Sequence, residues 1–239
     1  MTEFFNIILI KLIIAHLICD FFIQTDKFCE GKNKAGYKGW LLQLLHAFSH
    51  ALIAYVLVAK WTIWQIPLVI GGSHLIIDII KTKTKRLNSF LLFIIDQITH
   101  TVIIVLICLF LIPENFILEE YCYRNVWIYA LGYITLLKPT SILISMFFKQ
   151  WDIHYENKSL PKAGRWIGYF ERILVMTFIL LGSYEAIGFL MAAKSIFRFG
   201  DLKDNKEIKM TEYVLVGTLM SFTIAVIIAL GTNLLIRTI

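Results

Sequence analysis

The sequence predicts an all-α polytopic integral membrane protein with about seven transmembrane helices. Three observations carry this. Hydrophobic residues make up 58% of the 239-residue chain and mean hydropathy is +0.72, more than a soluble domain of this length needs. The apolar residues fall in runs of roughly 20, the length of helix that crosses the hydrocarbon of a bilayer. The runs lack the two-residue alternation of a membrane β-barrel, and open sheet edges do not survive in lipid, so the spans are helices.

The first run, 4–23, follows Glu3 and has neither a basic leader nor a small-residue cleavage site, so it reads as a retained span rather than a signal peptide. Runs two to four lie at 40–59, 62–80 and 88–112. The fifth, 125–148, contains Lys138 and Pro139, and the proline predicts a kink. The sixth, 166–192, holds Gly182 and Ser183, which can divide it into two half-segments. The seventh, 212–236, offers Gly217, Thr218 and Ser221 for close helix packing. Residues 1–112 form a four-helix bundle in this reading, and 113–239 add three helices to the same membrane domain as a buttress or a route for substrate.

Loops 24–39, 81–87 and 149–165 carry most of the Lys and Arg and fall on one side, so the positive-inside rule makes them cytoplasmic and the N-terminus external. The basic stretch 193–211 breaks simple alternation. Six spans with a re-entrant or interfacial helix is therefore the alternative count. The net charge of +6 reads as topology and contact with anionic lipid. No nucleic-acid-binding motif is present, and the four cysteines show no paired or zinc-thiolate spacing.

Within this apolar chain, four pairs of metal-type side chains recur at i, i+4: His16 and Asp20, His46 and His50, His74 and Asp78, Asp96 and His100. They use five of the six histidines. That spacing puts both members of a pair on one helix face. Ionisable groups in hydrocarbon are costly unless paired, hydrated or metal-bound. Alternating spans also place all four pairs in the same half of the membrane, roughly 6–18 Å in from the cytoplasmic ends at the helical rise. The pairs therefore read as one site.

Five imidazoles and three carboxylates suit one or two divalent ions, Zn²⁺ first, with Mn or Fe as alternatives. Asp20, Asp78 and Asp96 are candidate ligands, bridges or general bases. Gln24, Gln43, Ser49, Ser73, Lys81 and Gln97 are candidates for supporting the ligands or meeting substrate, Lys81 either by pairing with Asp78 or by binding an anionic group. The plain alternative for any one pair is a helix–helix hydrogen bond. Four pairs at one depth favour a metal site. A second polar set, Glu171, Arg172, Glu185, Lys194 and Arg198, reads as interfacial ion pairing, with a cradle for a lipid phosphate as its functional reading.

The leading functional expectation is a metal-dependent hydrolase acting on a lipid or lipid-linked substrate at the cytoplasmic leaflet. A divalent-cation or proton-coupled transporter using the same residues is the alternative, and a structural or partner-binding protein the third. The substrate partner is membrane lipid. The sequence names neither a protein partner nor an oligomeric state.

The stretches HLICDFFIQ at 16–24, HAFSH at 46–50, HLIIDIIK at 74–81 and DQITH at 96–100 resemble those of a bacterial inner-membrane family of unknown function, DUF3307. IGYFER at 167–172, AAKSIFRF at 192–199 and EYVLVGTLMSF at 212–222 are similar too, so the likeness extends over nearly the whole chain. It implies a location in the inner membrane and brings no activity. The gathering of His, Asp and Ser from several helices also resembles membrane-bound metal-dependent hydrolases and ceramidase-like enzymes. Their spacings differ, and no catalytic role is carried over from them.

Overall fold

The computed structural model describes residues 2–32, 34, 36–84, 88–111, 123–149, 163–196 and 205–238. The acidic stretch with Glu114, Glu119 and Glu120, most of loop 149–165, Cys122 and Arg198 lie outside them. Regular structure among the described residues is entirely helical: α1 Thr2–Leu17, a π-helical segment Ile18–Ile23, α2 Asp26–Lys32, α3 Tyr37–Val58, α4 Gln65–Lys83, α5 Ser89–Leu111, α6 Arg124–Leu136, α7 Lys138–Phe148, α8 Ala163–Leu180, α9 Tyr184–Ile196 and α10 Asn205–Thr238. Four stretches are long and apolar enough to cross a membrane: Tyr37–Val58, Ser89–Leu111, Arg124–Phe148 and Glu212–Thr238. A fifth would be the bent pair Ile7–Ile23 and Asp26–Lys32, which meet at 94°.

The chain divides into two compact units, residues 1–131 and 132–238. In the first, α1, α3, α4 and α5 form an antiparallel bundle. Each helix turns one four-residue stripe inward: Ile8, Leu12 and His16, leading to Asp20; His46, His50, Ala54 and Val58; Ile66, Ile70, His74 and Asp78; Asp96, His100, Ile104 and Cys108. Residues four apart stack on one face, and rows of them pack between helices. One half of the bundle core is thereby apolar and the other half is histidine and aspartate. The outward faces are the reverse of a soluble protein's. Leu41, Leu45, Phe48, Leu52 and Val56 on α3, and Leu91, Ile95, Ile98, Val102 and Leu106 on α5, are all exposed. Gly71 lets α4 approach α3 closely, since a Cβ there would lie 3.3 Å from the Ala47 carbonyl oxygen.

One element departs from the expectation. Loop 24–39 contains the helix α2, where the Thr25 hydroxyl accepts the Phe28 N–H at 3.3 Å. With only Phe28 and Cys29 apolar, its sequence carries no span-like signal.

The second unit bears out the expected breaks. Span five is interrupted at Leu137, just before Pro139, which cannot donate a backbone hydrogen bond. Arg172, 3% exposed, repairs the break: its Nε donates to the Leu136 carbonyl at 2.6 Å, and its Nη atoms donate to Ser141 Oγ at 2.7 Å and Ser221 Oγ at 3.1 Å. Span six is two helices, separated at Leu181–Ser183, where Gly182 has φ +74°. Such a φ is easy for glycine. Lys194 pairs with Glu171 at 2.6 Å. Glu171, Arg172 and Lys194 are thus spent on ion pairing and on a helix break.

Candidate metal centre

All eight residues of the four i, i+4 pairs meet in one cluster inside the first unit. Asp20 is its hub. The π-helical segment, a rare geometry often found at functional sites, carries this carboxylate into the bundle. His46 and His50 donate from Nε2 to Asp20 Oδ1, each at 3.1 Å. Gln97 Nε2 donates to Asp20 Oδ2 at 3.2 Å. His74 Nε2 stands 3.5 Å from Oδ1 and His16 Nε2 stands 3.7 Å from Oδ2, within ion-pair distance though not hydrogen-bonded to it. Gln97 also accepts from His16 Nε2 at 3.2 Å and donates to Asp96 Oδ2 at 3.3 Å, so one amide holds three of the site's side chains.

The other two carboxylates have ammonium partners. Lys32 donates to Asp78 Oδ2 at 2.9 Å, and Lys81 donates to Asp96 Oδ2 at 2.6 Å. Lys81 therefore reaches across to α5 instead of pairing along α4 with Asp78. Lys32 was invisible as a site residue, because its sequence context is a lysine-rich loop. The one clue was its i, i+4 relation to Phe28, whose ring lies 6.0 Å from that of His46. Gln43 anchors α2, donating from Nε2 to the Lys32 carbonyl at 3.1 Å. Ser49 and Ser73 turn their hydroxyls back to carbonyls of their own helices, at 2.7 Å and 3.1 Å. Gln24 sits where the π segment ends, and its buried Nε2 has no hydrogen-bond partner among the described residues.

The imidazoles crowd together. His74 stacks on His100 with centroids 4.0 Å apart and lies 3.6 Å from His50. Among the described residues, neither ring nitrogen of His74 makes a hydrogen bond, nor does His100 Nε2 or Asp96 Oδ1. Buried polar atoms left this way cost about 1–3 kcal/mol each, so the donor set is incomplete as hydrogen-bonded protein alone. Three overlapping groups could hold a metal ion: His16, Asp20, His50 and His74; His46, His74 and Asp78; and Asp78, Asp96 and His100. Their donor atoms lie within 4.8 Å of one another in each group. A tetrahedral ion with ligands at about 2.0–2.1 Å sets neighbouring ligand atoms about 3.3 Å apart. His50 Nε2 at 3.1 Å and His74 Nε2 at 3.5 Å from Asp20 Oδ1 come close to that edge.

Asp20, with its side chain 10% exposed, has no Lys or Arg nitrogen in ion-pair contact among the described residues. The cluster thus sums to three carboxylates against two ammonium groups, leaving one negative charge if the imidazoles are neutral. Beside His16, His50 and His74 lies a small cavity of ≈ 20 Å³. Its other walls are Ser73 and apolar residues that include Leu12, Ile70, Ile104 and Ile107. That is room for about one water molecule.

Fold and site together define a helical-bundle protein with a buried His/Asp centre. The chain belongs to the family described as protein of unknown function (DUF3307), whose model matches residues 8–129. The match covers the first unit and every residue of the centre. The matched residues end before the stretches at 167–172, 192–199 and 212–222. No curated protein and no solved structure matches the chain.

Proposed function

We propose that this is an inner-membrane protein of about seven crossings, whose bundle holds a divalent ion and hydrolyses a lipid or lipid-linked substrate at the cytoplasmic leaflet. The observation that carries the metal reading is Asp20, a buried carboxylate surrounded by imidazoles and without an ammonium partner. A buried charge of this kind is tolerated when a cation or proton balances it. Asp20, His16, His50 and His74 would hold the ion, which when bound would supply a Lewis acid able to activate water. Gln97 fixes the orientation of Asp20 and His16. The one-water cavity lies against three of the imidazoles. Lys81, whose side chain is 37% exposed, stands where an anionic headgroup would arrive.

The membrane setting rests on the apolar outward faces and on aromatic residues at both ends of α3. Tyr37 and Trp40 are exposed at one end, Trp61 and Trp64 just beyond the other. The 22 residues of α3 span roughly 33 Å at the helical rise, close to a bilayer's hydrocarbon thickness. Interfacial aromatic belts take such positions.

The transporter reading draws on Lys11, 2% exposed and 4.9 Å over the Trp127 ring, five residues before His16 on α1. Apart from the histidines and Ser73, the walls of the cavity are apolar, which weighs against a continuous polar path. Zinc-loaded wild type and Asp20→Asn should be compared in micelles on a panel of lipid esters, amides and phosphoesters, and in sealed proteoliposomes. Turnover by the wild type alone supports hydrolysis. Cation or proton flux without turnover establishes the transporter instead, and neither activity overturns both in favour of a structural core.

A further inference from the structure

We infer that Lys32 and Lys81 fill, with their own ammonium groups, a second divalent-cation site built from Asp78, Asp96 and His100, so that the native centre takes one ion and a chain without these lysines takes two. The inference rests on the metal reading above and concerns the half of the cluster away from Asp20.

Four observations carry it. Asp78, Asp96 and His100 are all buried, and their ligand atoms lie within 4.8 Å of one another. Lys32 Nζ is 2.9 Å from Asp78 Oδ2 and Lys81 Nζ is 2.6 Å from Asp96 Oδ2, so a cation already stands against each carboxylate. Asp96 Oδ1 and His100 Nε2 are buried, 3.5 Å apart and without a hydrogen bond. In the lysine-filled state these two atoms face each other at ion-pair distance without a hydrogen bond among the described residues, and around an ion they would be ligands. Finally, Asp78 Oδ2 faces His46 Nε2 and His74 Nδ1 at 3.8 Å each, which joins this half to the imidazoles around Asp20.

Charge balance gives the stoichiometry. Two ammonium groups carry the charge of one divalent ion. The native cluster, three carboxylates and two lysines, reaches +1 when one ion is bound. Without the lysines, two ions bring the three carboxylates to the same +1. A second ion added to the native cluster would raise it to +3 in a buried site, which the low dielectric strongly opposes.

The test is zinc bound per folded chain, read by elemental mass spectrometry after equilibrium dialysis of detergent-purified protein. The expected values are one for the wild type, two for Lys32→Met/Lys81→Met, and one for Lys32→Arg/Lys81→Arg, which keeps the cations. Adding Asp96→Asn to the Met pair should return the count to one. One ion in both wild type and Met pair overturns this inference and leaves the metal reading standing. Two ions in the wild type also overturn it. No zinc on the wild type overturns the metal reading and this inference with it. Should the Met pair fail to fold, Lys81→Met alone carries the test. A second, weaker equivalent supports the inference, and its absence at saturating zinc overturns it.

Discussion

Removing one partner of the Lys32–Asp78 pair should destabilise the metal-free protein far more than removing both. The separation is 2.9 Å, and the side chains are only 9% and 5% exposed. This places the pair outside the surface class worth about 0–1 kcal/mol. Breaking a buried pair by deleting one member costs about 3–5 kcal/mol, because the survivor keeps its desolvated charge. For Lys32→Met the low end of that range is expected. Asp78 still has His46 and His74 at 3.8 Å, so its carboxylate keeps two polar neighbours. The α2 backbone also stays anchored through Gln43. Asp78→Asn should cost about as much, since it strands the ammonium. The double variant replaces the pair by uncharged groups and should cost about 1 kcal/mol, leaving a coupling of several kcal/mol in the double-mutant cycle. The assay is reversible unfolding in mixed detergent micelles with chelator present, so that no ion rescues the single variants. Additive costs would show that the two side chains do not stabilise each other, and the placement of Lys32 at the centre would be wrong.

Two further outcomes follow from the same geometry. Gln97→Leu removes the amide that holds His16, Asp20 and Asp96 and should weaken divalent-ion binding about 10–100-fold while the fold persists; an unchanged affinity in a competition assay with a chelating dye would rule out an orienting role. Single cysteines at Lys34 and Thr84, in a background lacking the four native cysteines, should be protected from an impermeant maleimide in intact cells, because loops 24–39 and 81–87 face the cytoplasm in the proposed topology. Labelling from outside would invert the orientation and move the centre to the opposite leaflet.

The i, i+4 pairs were legible because helical spacing and antiparallel order fix both face and depth without tertiary knowledge. The breaks at Pro139 and Gly182 were legible for a similar reason, since both residues act on the backbone directly. The rank of the carboxylates was not legible. Sequence treats Asp20, Asp78 and Asp96 alike, and only the structure shows that two have lysines and one has imidazoles. Lys32 was hidden because its burial depends on the 94° bend before α2. Gln24 and Thr25 lie at that bend, and neither is a proline or a glycine. Lys81 was read locally, toward Asp78 three residues away, whereas its long side chain reaches Asp96 on the next helix.

The bundle core shows why stability does not account for the cluster. Each inward stripe is half apolar, with Leu12, Val58, Ile66 and Ile104 continuing the rows that hold His16, His46, His74 and Asp96. The same helices thus pack well with ordinary apolar side chains one or two turns away. Exchanging a buried ionic cluster for apolar residues of similar volume is often neutral or stabilising, so packing gives no reason to keep five imidazoles and three carboxylates in the other half. The family match, 8–129, coincides closely with the compact unit 1–131 and encloses the cluster entirely. The unit that defines the family is therefore the unit that bears this cost. Its net single negative charge falls on Asp20, the carboxylate that no lysine reaches among the described residues. A core kept for shape alone would have paired that carboxylate as it paired the other two. Imidazole nitrogens take both protons and metal ions, and the proposed metal reading puts the balancing cation at this position.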